Sequence, residues 1–269
     1  MRKPSVARLR DQSFNRLIPN ILTLLALCAG LTSIRFGLQG RWEPAVIAIV
    51  IAAVFDALDG RIARLLDTTS RFGAELDSLS DFVSFGVAPA MLLYFWNLQL
   101  AGSLGWAAVL LYCVCCGLRL ARFNTKVDNA DLPAWTSRFF MGVPAPAAAG
   151  IVLLPMIASF EFGRPVFGDT WFVGTVAVAV ALLMISRLPT YSFKRIKVAH
   201  HLVLPTLIGV GAFAAFLVSS TWNTLIAVGL LYLASIPASY VSHRRLQRVA
   251  PTAAVEDLEL EEPEDLQPR

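Results

Sequence analysis

Asp56, Asp59, Asp77 and Asp81 are the residues whose type and spacing could do chemistry in this chain of 269 residues. The first two stand three apart and the last two four apart, spacings that put side chains on one face of a helix. All four lie in apolar surroundings. An aspartate near the centre of a membrane-spanning helix costs about 2.5–3.5 kcal/mol on insertion scales, so an intramembrane carboxylate is a functional candidate by default. Converging carboxylates repel one another unless they are protonated or bridged by cations. Oxygen-only ligands suit hard divalent ions such as Mg²⁺, Mn²⁺ or Ca²⁺. Two ions fit if some carboxylates bridge, the arrangement used for phosphoryl displacement. The neighbouring residues agree. Gly60 follows Asp59 directly and Gly73 lies one turn before Asp77, and glycine lets a ligand or a second backbone approach closely. Ala63 is similarly small, and Arg64 is a fixed cation suited to a phosphate or pyrophosphate. Any one of these aspartates alone would be explained by a helix cap or by pairing with Arg61, Arg64 or Arg71. Four at this spacing, with both glycines, argue against that.

The elements that must position them are membrane helices. Hydrophobic residues make up 56% of the chain and charged residues 16%, and the mean hydropathy is +0.62. An ordinary soluble domain has an apolar share of about 45–50% even with glycine counted. The apolar residues come in runs of the length, about 20 residues, that crosses a bilayer as helix. Only helices or closed barrels satisfy the backbone in lipid, so the expectation is an all-α, polytopic membrane helix bundle. Eight candidate spans can be drawn: Leu17–Phe36, Pro44–Leu66, Leu76–Trp96, Leu104–Arg122, Met141–Phe160, Asp169–Ser186, Leu202–Ser219 and Trp222–Tyr240. The second and third carry the aspartates. A short connection makes them antiparallel neighbours, so the four carboxylates are expected to converge at one depth.

Charge gives the expected orientation. With a cytosolic N-terminus, one side collects Arg2, Lys3, Arg8, Arg10 and Arg16, then Arg61, Arg64 and Arg71, then Arg119, Arg122, Lys126 and Arg138. It also collects Arg187, Lys194, Arg195 and Lys197, and finally Arg244, Arg245 and Arg248. The opposite loops hold only Arg35, Arg41 and Arg164. This is a positive-inside pattern with both termini cytosolic and the acids just inside the cytosolic face. Residues 1–16 read as a basic cytosolic segment ahead of a first transmembrane helix, not as a cleavable signal. Residues 17–240 read as the membrane domain, and 241–269 as a cytosolic tail whose stretch from Glu256 to Asp265 is acidic and expected to be disordered. The net charge of +4 reports topology and contact with anionic lipid, and no nucleic-acid module is visible. Cys28, Cys113, Cys115 and Cys116 fit no zinc or redox spacing and read as small hydrophobes. His200 and His201 have no partner spacing, and Lys194, Arg195 and Lys197 read as lipid-headgroup contacts.

Asp56-x-x-Asp59-Gly60-x-x-Ala63-Arg64, eight residues, then Gly73-x-x-x-Asp77-x-x-x-Asp81 resembles the full signature of the CDP-alcohol phosphatidyltransferase family, with every fixed position present. The resemblance implies a six-helix core around a dimetal site, usually in homodimers. It implies that Asp56, Asp59, Asp77 and Asp81 bind two divalent ions per subunit, Mg²⁺ or Mn²⁺. It also makes Asp81 the general base, and places Asp59, Gly60, Ala63, Arg64 and Gly73 around the CDP-lipid. Phe82-Val83-Ser84-Phe85-Gly86-Val87-Ala88-Pro89-Ala90 resembles the phosphatidylserine synthase branch. So do Pro19-Asn20-Ile21-Leu22-Thr23, Arg119-Leu120-Ala121-Arg122-Phe123-Asn124 and Gly142-Val143-Pro144-Ala145-Pro146. That branch implies CDP-diacylglycerol and L-serine as substrates. Asn20 and Thr23 become candidate CDP-lipid contacts, though Asn20 serves equally as an N-cap. Ser84, Arg119, Arg122 and Asn124 become candidates for the alcohol, because serine brings a carboxylate for an arginine. A sister transferase using choline or an inositol phosphate is the nearest alternative. A cation transporter is the alternative of a different class, disfavoured because transport sites typically lie near the midplane.

Overall fold

The computed structural model describes residues 17–68, 70–127, 139–163, 167–186, 188–191 and 203–239. The basic segment 1–16, the tail 241–269, and Arg138, Arg164, Arg187, Lys194, Arg195, Lys197, His200 and His201 lie outside the described residues. Eight helical stretches coincide with the eight predicted spans. They are α1 (Leu17–Leu38), α2 (Trp42–Leu65), a continuous stretch Arg71–Trp96, α5 (Ser103–Val127), a stretch Ala145–Phe162, α8 (Thr170–Ile185), α9 (Val203–Ser219) and α10 (Thr221–Ser239). Five of them are long and apolar enough to cross a membrane, so the chain is an integral membrane protein. The carboxylates and arginines of α2 lower its hydropathy. α8 and α9 have 16 and 17 residues, a little under the usual spanning length.

Two of these stretches differ from the expected spans. The third begins at Arg71, not Leu76, because Ser70 caps it: its backbone is extended and its hydroxyl accepts from the Gly73 N–H at 3.0 Å. The stretch is then α3 (Arg71–Asp81), a π-helical turn over Phe82–Val87, and α4 (Ala88–Trp96). Pro89 explains the π turn. Its ring would clash with the carbonyl four residues back, that of Phe85, and it offers no N–H. The helix widens so that the Ala88 N–H reaches Val83. The buried Tyr112 hydroxyl donates to the Phe85 carbonyl at 3.0 Å. The fifth stretch begins only after Pro144 and breaks at Leu153, before Pro155, into α6 (Ala145–Val152) and α7 (Leu154–Phe162). Ahead of it, β1 (Phe139–Met141) pairs antiparallel with β2 (Pro189–Tyr191). This two-stranded patch is a local clip in a helical fold.

α1 presents a stripe of small residues: Thr23, Ala26, Gly30, Ser33 and Gly37 are all buried. Without a hydrophobic force between helices in lipid, close approach of small residues is what lets them associate. A β-carbon on Gly30 would collide with Ser84, and one on Gly37 with Leu92. The stripe therefore seats α1 against the π turn and α4. The Ser80 hydroxyl donates to the Thr23 carbonyl at 3.1 Å. The core is filled by Phe85, Leu92, Leu93, Tyr112, Leu153 and Met156 among others, with α10 packed on α7 through Trp222 against Phe160.

Candidate active site

The turn between α2 and α3 is built by the backbone. Asp67 adopts the left-handed conformation (φ 50°), and the Thr68 N–H reaches back to the Ala63 carbonyl at 3.0 Å. This six-to-one bond is the Schellman closure of a helix C-terminus. It ends α2 one turn beyond Asp59 and Gly60, and Ser70 starts α3 within a few residues. The two helices are thereby joined by a tight turn, and α1 packs against both.

The four aspartates meet as that geometry requires. One carboxylate oxygen from each of Asp56, Asp59 and Asp77 lies within 4.8 Å of the others. Asp81 stands one turn further along α3, close enough to Asp56 and Asp77 to interact with both carboxylates. The trio fits a cation. Two oxygens on one hard ion are separated by at most twice the metal–oxygen distance, about 4–5 Å, so side-chain rotation alone could close the trio on a cation. Among the described residues this is the one group of acids, histidines or cysteines placed to hold a metal.

α1 completes the site, a contribution that spacing within the motif could not show. The Thr23 hydroxyl contacts the Asp59 carboxylate at 2.6 Å and the Pro19 carbonyl at 3.1 Å. Asp59 is the least solvent-accessible of the four acids, 5% exposed, and Thr23 gives its carboxylate a donor. Asn20 lies over Gly73: a β-carbon there would stand 3.0 Å from its side-chain oxygen and 3.1 Å from the Ser70 hydroxyl. Gly73 therefore leaves room for the Asn20 side chain where α1 approaches the start of α3. Gly60 is open, with only the Arg64 guanidinium near, 3.6 Å from a notional β-carbon. Ala63 and Arg64 occupy the last turn of α2, with Arg64 facing Asp59.

The four candidates for the alcohol separate. Arg119, on α5, is partly buried and lies within electrostatic reach of Asp81 and Asp56. Ser84 is fully buried and its hydroxyl donates to the Ala26 carbonyl at 3.2 Å. Arg122 donates to the Ile185 carbonyl at 2.9 Å, at the end of α8. The Asn124 amide donates to the Ser78 hydroxyl at 2.9 Å. Ser70 and Ser78 had no signal in the sequence beyond their place in the motif. All four cysteines are free thiols, with Cys115 and Cys116 buried, and Cys116 packs against Gly86.

A family model described as CDP-alcohol phosphatidyltransferase matches residues 16–186, and a second, CDP-alcohol phosphatidyltransferase 2, matches residues 201–237. A Mycobacterium leprae (strain TN) protein named CDP-diacylglycerol–serine O-phosphatidyltransferase is 41% identical over 231 residues, 86% of this chain and 77% of the relative. A Helicobacter pylori (strain J99) protein of the same name is 36% identical over 183 residues, 67% of this chain and 74% of the relative. A Saccharomyces cerevisiae protein, also so named, is 40% identical over 149 residues, 52% of this chain and 53% of the relative.

Proposed function

This chain belongs to the CDP-alcohol phosphatidyltransferase family, and from that premise we propose that it transfers the phosphatidyl group of CDP-diacylglycerol to L-serine, giving phosphatidylserine and CMP. The observation that carries the reaction type is the meeting of Asp56, Asp59 and Asp77 within 4.8 Å, with Asp81 one turn further along the same helix as Asp77. Support for serine as the acceptor comes from the shared name of relatives up to 41% identical and from Arg119, a cation within electrostatic reach of Asp81.

Asp56, Asp59 and Asp77 would hold the divalent cations. Bound there, the ions would neutralise charge on the transferring phosphate and on the departing CMP. Asp81 sits outside the trio and one turn deeper, where it takes the proton of the serine hydroxyl. The hydroxyl oxygen bonds to the phosphorus carrying diacylglycerol, and the bond from that phosphorus to the CMP oxygen breaks. Arg119 receives the serine carboxylate and so aims the hydroxyl at Asp81. Asn20, Thr23, Gly60, Ala63, Arg64 and Gly73 form the CDP-lipid side, with Thr23 acting through Asp59. Two Mg²⁺ or Mn²⁺ ions per subunit, a homodimer, and placement in the inner membrane with both termini cytosolic belong to the same proposal. The basic connections on the aspartate side support that orientation.

Purified protein supplied with CDP-diacylglycerol and a divalent ion is expected to release CMP when serine is added. Equal release with inositol phosphate, choline or glycerol phosphate would remove the serine assignment. Cation transport without any CMP release would remove the enzyme.

A further inference from the structure

Arg119 lies within electrostatic reach of Asp81 and Asp56 and is held by α5, an element that carries none of the signature. What fixes it there is the end of that helix, which is tied on two sides. On one side the Asn124 amide donates to the Ser78 hydroxyl at 2.9 Å, and that hydroxyl in turn donates to the Ala74 carbonyl at 3.0 Å. Ser78 therefore accepts and donates at once. It is also the residue immediately after Asp77, so the tie is made next to the carboxylate trio. On the other side Arg122 donates to the Ile185 carbonyl at 2.9 Å, one of the acceptors left open at the C-terminus of α8. Asn124 lies in the last described turn of the helix, Ser103–Val127. Asn124 stands five residues past Arg119, about 7.5 Å along the axis, and so controls the lever that carries the guanidinium.

We propose that Ser78 and Asn124 form a strap that positions Arg119 for the acceptor alcohol, with Asn124 acting through Ser78 and not touching substrate. This rests on Arg119 receiving the acceptor's carboxylate. Loosening the strap lets the end of α5 shift, which weakens acceptor binding and leaves the CDP-lipid side, built from α1, α2 and the start of α3, in place.

The test is steady-state kinetics on wild type, Ser78→Ala, Asn124→Ala, the double alanine variant and the exchanged pair Ser78→Asn/Asn124→Ser. Each single change is expected to raise the KM for serine about fivefold, the worth of one net hydrogen bond, with the KM for CDP-diacylglycerol within about twofold. The double variant is expected to be no worse than either single one, and the exchanged pair to recover at least part of the loss. If Asn124→Ala raises the serine KM and Ser78→Ala does not, Asn124 meets substrate directly and the strap is wrong. Equal rises in both KM values, or a lower melting temperature with unchanged KM values, reduce the pair to a structural contact and also overturn the proposal. If wild type releases CMP only with a different alcohol, serine has failed. The same five proteins then report on the strap through that alcohol's KM, which must shift for the strap to stand.

Discussion

Thr23 and Asp59 show how a residue outside the motif tunes one inside it. Asp59 is buried, and a buried carboxylate needs donors or a cation to remain charged. The Thr23 hydroxyl at 2.6 Å is such a donor, and it also orients the oxygen relative to Asp56 and Asp77. Partners of this kind typically change metal affinity by about 10–100-fold when removed. Thr23→Val is therefore expected to raise the half-saturating Mg²⁺ or Mn²⁺ concentration at least tenfold, with Thr23→Ser near wild type; metal titration of CMP release reads this, and an unchanged value in Thr23→Val would refute the role. Asp81→Asn is expected to lower kcat by about 10²–10⁴-fold, the range of general-base catalysis, without loss of the folded bundle by circular dichroism. A near-normal rate would exclude Asp81 as base. At this scale the sequence made the four aspartates and Gly73 readable, because helical periodicity within a short segment carries that information. It could not pair Thr23 with Asp59, 36 positions away, or Ser78 with Asn124, 46 positions away. Side-chain partners across helices leave no period.

At the scale of elements, the third helical stretch bears the chemistry and also changes its winding. The π turn starts at Phe82, directly after Asp81. An inserted residue rotates everything beyond it by roughly 100°, so the aspartates can face α2 while Ser84, Phe85 and Leu92 face α1 and the core. Pro89 is visible in the sequence, but a proline in a span can kink, break or widen a helix, and the neighbours decide which. Here Tyr112 supplies the donor that Pro89 lacks. The same stretch starts five residues before the apolar run suggests, because a polar first turn capped by Ser70 is silent to hydropathy. The small stripe on α1 is a sharper test of packing. Gly30→Leu would drive a side chain into Ser84 and is expected to destabilise by about 1–3 kcal/mol, read as a lower unfolding midpoint in detergent together with weaker metal activation. Gly150→Leu, where a β-carbon meets nothing within 4 Å, is the control and should change neither. Equal effects at both positions would refute the seating of α1.

For the whole molecule, the eight predicted spans coincide with eight helical stretches even though five alone pass a length and apolarity criterion. α2 fails because its carboxylates are the function, and α8 and α9 fail by a few residues. Among the described residues, the four aspartates lie on α2 and α3, with Arg119 of α5 within electrostatic reach of them. The opposite ends of these helices are joined by short loops. That division suits a reaction between a lipid, which enters from the bilayer, and a polar alcohol and nucleotide, which need water. The expected arrangement has the aspartate end in the cytosol. Single cysteines placed at Gln39 and at Thr68 in a cysteine-free background test it: a membrane-impermeant thiol reagent applied to intact cells should label the first and not the second, and the reverse pattern would invert the topology.

The most direct measurement is anomalous scattering from crystals of the wild-type protein grown with Mn²⁺ and CDP-diacylglycerol. The expected map has manganese bounded by the carboxylates of Asp56, Asp59 and Asp77, with the lipid's pyrophosphate against it and Asp81 at its edge. Protein that turns over in the same manganese buffer but shows no manganese between those three side chains would contradict the site on which every other inference stands.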